Sequence, residues 1–150
     1  MKNTKGRLFL FCYKTSAFFS RNKFLKIIGF PIRFAYTIFI QWGLGIDIPD
    51  TIRFGKNFNV VHGQGLVINS KTVIGENVTV RQNTTIGNAK SGGRCPVIED
   101  NVNIGANVVI IGDIRIGRNS IIGAGSVVIK DVPPFSIVAG NPAKFIKKNI

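Results

Sequence analysis

The chain has 150 residues, of which 45% are hydrophobic, and its 20 lysines and arginines against seven aspartates and glutamates give a formal net charge of +13. This length fits one domain with a substantial core, and the apolar content excludes a largely disordered chain. The two cysteines, Cys12 and Cys95, exclude a disulfide framework and a four-cysteine zinc site, which favours a reducing setting.

Residues 1–45 differ in composition from the rest of the chain. They hold eight basic residues, no acidic residue and 11 of the 15 aromatic residues. We therefore place a boundary at residue 45. The prediction is a short region of basic, aromatic-rich helices before the boundary and a second domain at residues 46–150.

The most apolar stretch, residues 27–44, is not predicted to span a membrane. Arg33 and Gln41 interrupt it, whereas a span needs about 20 largely uncharged residues. A cleavable secretion signal is not indicated either, because polar residues break the earlier apolar run at residues 13–16. We expect a cytoplasmic protein.

Basic residues mixed with Phe and Trp are typical of segments at the boundary between anionic headgroups and acyl chains. The first interpretation of residues 1–45 is therefore peripheral contact with the inner face of an anionic membrane. The alternative is that these rings pack on the second domain or in an oligomer contact. Nucleic acid is not an expected partner, because no helix-turn-helix, zinc-finger or RNP-type signature occurs.

From residue 48 onward, large apolar residues recur every six positions. These anchors are Ile48, Phe54, Val60, Ile68, Ile74, Val80, Ile86, Ile98, Ile104, Ile110, Ile116, Ile122 and Val128. A step of eight residues after Val60 and one of twelve after Ile86 interrupt the series, and a glycine often follows an anchor. Such a glycine suggests a tight backbone corner. A period of six is not that of an amphipathic helix.

The geometry that fits this repeat is a coil of short parallel strands joined by turns. Successive coils would stack at the ~4.8 Å strand spacing with the anchors pointing inward. The predicted class is therefore all-β, a parallel β-helix with a short helical N-terminal region. Residues 1–45 and the less periodic tail from residue 132 would cap its ends. A β-sandwich of short strands is the alternative.

Three segments of this domain carry a known signature. Residues 104–109 (IGANVV) and 122–127 (IGAGSV) follow the pattern [LIV]-G-x-x-[small]-x, and residues 132–143 contain VPP and then VAGNPA. On these motifs, residues 46–147 resemble the hexapeptide-repeat acyltransferases. The resemblance implies a left-handed parallel β-helix, use of acetyl-CoA without a metal, and a homotrimer with active sites between subunits.

Within that family the chain resembles serine acetyltransferases and the small acetyltransferases that modify exopolysaccharides such as colanic acid. The shared residues are Asp47, His62 fifteen positions later, and the loop KSGGRCP at residues 90–96. Val61 and Cys95 stand where serine acetyltransferases have an Asp and a second His that help to hold the amino acid. We therefore expect a sugar hydroxyl of an exopolysaccharide or capsule glycan, or of its precursor, as the acceptor. Serine is the alternative acceptor, and a non-catalytic β-helical binding module is a third interpretation.

Acetyl transfer to an alcohol requires a group that removes the hydroxyl proton. His62 is the only histidine, and histidine is the side chain that ordinarily titrates near neutrality, so it is the predicted general base. Asp47 is the predicted partner that orients its ring, as the carboxylate does in hydrolase triads. The alternatives are a polar turn residue for His62 and an N-terminal cap of the first coil for Asp47.

The resemblance also suggests binding residues. Arg94, Gln64 and Cys95 are assigned to the acceptor; Cys95 is not expected to act as a nucleophile, because direct transfer needs no acyl-enzyme. Six residues are assigned to coenzyme A by family position: Gly87, Lys90, Ala106, Ala124, Gly140 and Lys144. Coil-corner glycines and solvated lysines are the alternative interpretation of that set.

Overall fold

The computed structural model describes residues 4–150. Three α-helices come first: α1 (Thr4–Phe19), α2 (Lys23–Ile28) and α3 (Phe30–Tyr36). A π-helix (Thr37–Gly43) follows α3 directly. In the described chain, none of these helices has both the length and the hydropathy that crossing a bilayer requires.

The rest of the described chain consists of short strands joined by turns. Their bounds are β1 (Ile46–Asp47), β2 (Asn59–Val61), β3 (Leu66–Ile68), β4 (Val73–Ile74), β5 (Thr79–Arg81), β6 (Thr85–Gly87), β7 (Val97–Ile98), β8 (Asn103–Ile104), β9 (Val109–Ile111), β10 (Arg115–Ile116), β11 (Ile121–Ile122), β12 (Val127–Val128), β13 (Ser136–Ala139) and β14 (Lys144–Lys148).

These strands form three sheets, which are the three faces of a β-helix. The first face is β1-β3-β6-β9-β12, the second is β4-β7-β10, and the third is β2-β5-β8-β11-β13. Up to β13, consecutive strands lie on different faces, and each strand pairs in parallel with the strand one coil away. The predicted parallel β-helix with N-terminal helices is confirmed, and the β-sandwich alternative is wrong.

The predicted anchors form the core of the β-helix. Twelve of the thirteen are buried, and Ile104, Ile110 and Ile116 have no exposed surface at all. Phe54, in the first coil, is the exception and is only partly buried. Its ring stacks on that of Phe58 with centroids 4.0 Å apart.

The glycines that follow the anchors have a different role from the one that the sequence suggests. Gly105 does not have a positive φ; instead, a Cβ there would lie 2.6 Å from the backbone nitrogen of Ala124 in the next coil. Most of these glycines therefore allow close stacking of coils, whereas a Cβ at Gly87 would make only an ordinary contact. Among the non-glycine residues with a left-handed φ, six of eight are asparagines: Asn57, Asn77, Asn83, Asn101, Asn107 and Asn119.

A buried polar cluster fastens the helices to the first coil. Asp50, in the turn after β1, accepts hydrogen bonds from Ser16 Oγ (2.6 Å) and from Arg33 Nε (2.7 Å) and Nη2 (3.1 Å). The Tyr36 hydroxyl donates to the carbonyl oxygen of Ile48 at 2.7 Å. Burial alone would raise the pKa of Asp50, but the bonds from Arg33 and Ser16 outweigh it and hold that pKa below its ordinary value.

The helical region also shares the hydrophobic core. Phe9, Tyr13 and Ile40 belong to the same buried cluster as the anchors. In contrast, α2 buries none of its residues. The large hydrophobic side chains that residues 4–43 leave exposed are Leu8, Phe11, Phe18, Phe24, Ile27, Ile28, Phe30, Ile32, Phe34, Phe39 and Trp42.

The opposite end of the β-helix closes differently. After a turn, β14 runs back antiparallel to β13 and pairs with it along the third face. It is the one antiparallel pairing among the strands of residues 4–150.

Candidate active site

His62 lies in the turn that leads from the third face to the first. Val61 pairs with Arg81 on one side of this turn, and Val67 pairs with Thr85 on the other. In the first coil, this turn consists of the five residues 62–66. In the next coil, the equivalent turn consists of the three residues 82–84. The turn that carries His62 is longer by two residues.

The two additional residues are His62 and Gly63. Gly65 aligns with Asn83, because Asn83 N donates to the Gln64 carbonyl at 2.7 Å, and both have the left-handed φ of a regular corner, 65° and 55°. His62 and Gly63 also have left-handed φ angles, 66° and 77° respectively. A left-handed histidine is uncommon, and such backbone is concentrated at functional sites.

The His62 side chain is exposed, and no hydrogen bond or ion pair within residues 4–150 involves it. Its ring is thus unengaged in the protomer, although its backbone position is fixed. An imidazole held in this way is available to a ligand at the protein surface.

Asp47 lies on the first face, where it pairs with Val67. Its Oδ1 accepts a hydrogen bond from Gln41 Nε2 of the π-helix at 3.2 Å. The structure therefore gives Asp47 a partner other than His62. Asp47 and Gly87 line the same surface depression of about 370 Å³.

Several predicted residues stack above the turn that carries His62. The Gln82 carbonyl accepts from Asn107 N at 3.0 Å, and the Ala106 carbonyl accepts from Gly125 N at 2.9 Å, which aligns successive turns. We call the column of residues 62–66, 82–84, 106–108 and 124–126 the His62 corner. Five predicted residues belong to it or to its continuation after β13: His62, Gln64, Ala106, Ala124 and Gly140.

The loop between β6 and β7 lies at another corner, between the first and the second face. Arg94 Nη1 is 3.4 Å from Asp113 Oδ2 in an exposed ion pair, whereas Cys95 is buried and Lys90 is exposed. Lys144, in β14, is exposed on the third face. One protomer therefore does not place Arg94, Lys90 or Lys144 in the His62 corner.

The structure adds a residue that the sequence analysis missed. Gln82 aligns with Gln64 in the turn that carries His62, and its Oε1 is buried without a hydrogen-bond partner in the described chain. Gln41, the partner of Asp47, was also missed, because the contact depends on how the π-helix packs. Across residues 4–150, no three His, Cys, Asp or Glu side chains are grouped so that they could hold a metal ion.

Comparison with known proteins identifies the family. The family described as bacterial transferase hexapeptide (six repeats) matches residues 95–130. WcaB of Escherichia coli K12, named as a candidate colanic acid biosynthesis acetyltransferase, is 36% identical over 125 residues, which cover 83% of this chain and 77% of WcaB. The chain belongs to the hexapeptide-repeat acetyltransferase family.

Two serine acetyltransferases are further relatives. Serine acetyltransferase 4 of Arabidopsis thaliana is 46% identical over 104 residues, covering 68% of this chain and 29% of the plant protein. The soybean enzyme solved in complex with serine superposes with a TM-score of 0.82 at 34% identity, over 96% of this chain and 58% of the soybean chain. The chain thus spans less than a third of the Arabidopsis protein.

Proposed function

We propose that this chain transfers an acetyl group from acetyl-CoA to a hydroxyl of an exopolysaccharide or capsule glycan, or of its precursor. Family membership supports acetyl transfer. The observation that carries the choice of catalytic residue is the two-residue extension that presents His62. A repeat that otherwise buries its apolar residues gains nothing in packing from an exposed left-handed histidine.

In this proposal, His62 takes the proton from the acceptor hydroxyl as the oxygen attacks the thioester carbonyl. Asp47 orients the ring or stabilises the imidazolium that forms. The sulfur leaves as the thiolate and then takes up a proton. No metal is required, because the thioester is already activated towards an alkoxide-like nucleophile.

The proposed path of coenzyme A follows the His62 corner. Ala106, Ala124 and Gly140 give this column a small-residue surface that a narrow pantetheine arm fits. Lys90 and Lys144 would meet the phosphates, and Gly87 would lie beside the arm. Because His62 and the loop that carries Arg94 occupy different corners of one chain, a neighbouring protomer of a homotrimer would bring that loop to the base.

The acceptor is inferred from what surrounds His62. The residue before it is Val61, and the ranges that form the His62 corner contain no acidic residue. Free serine carries an ammonium group, whose desolvation requires a partner. A neutral sugar hydroxyl makes no such demand, and we place Arg94, Gln64 and Cys95 around it. Serine remains the second candidate, because the 46% identical relative and the soybean neighbour are serine acetyltransferases.

The acceptor is tested by release of coenzyme A with serine and with a panel of exopolysaccharide fragments. We expect glycan-dependent release and little release with serine. The double variant Val61→Asp/Cys95→His should increase kcat/KM for serine about 10- to 100-fold, since charged hydrogen bonds contribute about 1.5–3 kcal/mol. Robust turnover of serine by the unaltered protein would instead establish the second candidate.

We further propose that the protein works at the cytoplasmic face of an anionic membrane, with the helical region in peripheral contact. The structure leaves this region with exposed rings, and residues 4–43 contain basic but no acidic residues. Within this region, helix α2 is best suited to membrane contact. Its Phe24 and Ile27 are 69% and 76% exposed, and Lys23 and Lys26 lie beside them.

Sedimentation with phosphatidylglycerol-containing vesicles tests this contact. We expect Phe24→Gln/Ile27→Gln to weaken binding at least about tenfold, because burying one such side chain contributes about 1.5–3 kcal/mol. The matched control, Phe145→Gln/Ile146→Gln, removes two side chains of similar exposure, 57% and 58%, at the other end. Equal binding by both variants would contradict the membrane role. Substitution is preferable to truncation because Phe9 and Tyr36 belong to the core.

A further inference from the structure

A cleft of about 770 Å³ lies between α1 and the segment that precedes β2, residues 53–58. Its volume is within the range of small-molecule sites, about 300–1,000 Å³. The cleft is on the opposite side of β2 from the His62 corner. Four basic side chains line it: Lys14, Arg21, Arg53 and Lys56.

The positive charge of this cleft is not balanced by the protein. None of the residues that line the cleft is acidic. The ion pairs of the described chain involve Arg33, Arg94 and Arg115, so none of the four cleft cations is paired in this way. Such a concave, one-signed surface concentrates field lines and attracts an anion.

Aromatic rings form the wall of the cleft. Phe54 and Phe58 stack with an interplanar angle of 13°, and the Tyr13 ring lies 4.9 Å from that of Phe54. The Arg21 guanidinium lies over the Phe18 ring at 5.3 Å. The wall is therefore apolar and its rings pack against one another, whereas the four cations are exposed at its rim. This combination suits a ligand with a charged group next to an apolar or ring-shaped portion.

We propose that this cleft binds a phosphate-bearing ligand, of which a diphosphate group is the best match to four cations. Arginine and lysine are the side chains that recognise phosphate by charge-assisted hydrogen bonds. The site is distinct from the proposed coenzyme A path along the His62 corner. It lies in the same coil as His62, and the four residues from Phe58 to His62 span about 13 Å of extended chain.

A phosphate can come from a water-soluble phosphorylated molecule or from a lipid headgroup. Calorimetric titration with inorganic pyrophosphate tests the first source, and sedimentation with phosphatidylglycerol vesicles tests the second. Binding in either arm that depends on the cleft cations supports the site, and the arm that responds identifies the source. Neither arm requires turnover, so the result does not depend on the proposed acetyl transfer.

The cleft variant is Arg53→Gln/Lys56→Gln, and the matched control is Lys71→Gln/Lys130→Gln, which removes two exposed cations elsewhere. We expect the cleft variant to weaken binding at least about tenfold and the control to change it no more than about twofold. Equal losses in the two variants, or no binding in either arm, would overturn the proposal. A parallel loss of affinity for coenzyme A in the cleft variant, measured by the same calorimetric titration, would also overturn it, since the cleft would then belong to that co-substrate.

Discussion

His62→Ala is expected to lower the rate of acetyl transfer about 10²- to 10⁴-fold, the usual contribution of a positioned general base. The effect should fall mainly on kcat, because the ring acts on the proton that moves in the transition state. The measurement is the initial rate of coenzyme A release at saturating acetyl-CoA, with the acceptor that the panel identifies.

The control for this variant is structural. The backbone at His62 has a φ of 66°, which asparagine tolerates better than alanine, so His62→Asn removes the base while preserving the turn. His62→Asn should keep the unfolding midpoint and the oligomeric state of the parent protein, because the side chain is exposed and has no partner in the described chain. Full activity in His62→Asn would show that another group accepts the proton.

Arg33→Met is expected to reduce the free energy of unfolding by about 3 kcal/mol. The substitution leaves Asp50, whose side chain is 9% exposed, with a buried charge and only Ser16 as a side-chain partner. Removing one member of a buried pair costs about 3–5 kcal/mol, and we take the lower end because the Arg33 side chain is 28% exposed. Urea unfolding at neutral pH measures the loss.

The matched control is Arg94→Met, which breaks an ion pair whose side chains are 83% and 64% exposed. An exposed pair contributes about 0–1 kcal/mol, so this variant should unfold nearly as the parent does. Equal destabilisation by both substitutions would mean that the buried cluster does not hold the helices to the first coil.

The effect of Arg33→Met should also depend on pH. In the parent, the lowered pKa of Asp50 gives stability that is present above the ordinary carboxyl pKa of about 3.9 and is lost as pH falls through the folded-state value. In the variant, burial acts without the guanidinium and raises the pKa of Asp50. Protonation then removes the free-energy cost of burying an unpaired carboxylate. The difference between the two proteins should therefore be largest near pH 7 and should narrow in acid.

The repeat could be predicted well because one physical requirement recurs in every coil. Every sixth residue points inward and must be apolar, as Ile98 and Ile122 are. This requirement can be recognised from the local sequence alone. The two breaks in the period also had structural meaning. The eight-residue step after Val60 accommodates the extension at His62 and Gly63, and the twelve-residue step after Ile86 accommodates the loop that carries Arg94.

The contacts between the helices and the first coil could not be predicted in this way. The bond from Gln41 to Asp47 and the cluster around Asp50 join segments whose relative placement no local pattern encodes. The burial of Gln82 could not be predicted either, because it follows from the alignment of two turns of different length. A glycine after an anchor could be located from sequence, but its purpose, close approach of the next coil, required the stacked backbone.

The reversal of β14 at the end of the third face has a consequence for how copies of the molecule meet. A stack of parallel rungs is open at each end, and an uncovered terminal rung could template another chain and grow into a fibre. At one end, the edge of the third face is already occupied by a strand of opposite direction, β14, whose side chains include Lys144, Lys147 and Lys148. At the other end, helices replace the rung altogether. Growth of a filament along the third face is thus blocked by β14 at one end, and the helices cover the first coil at the other.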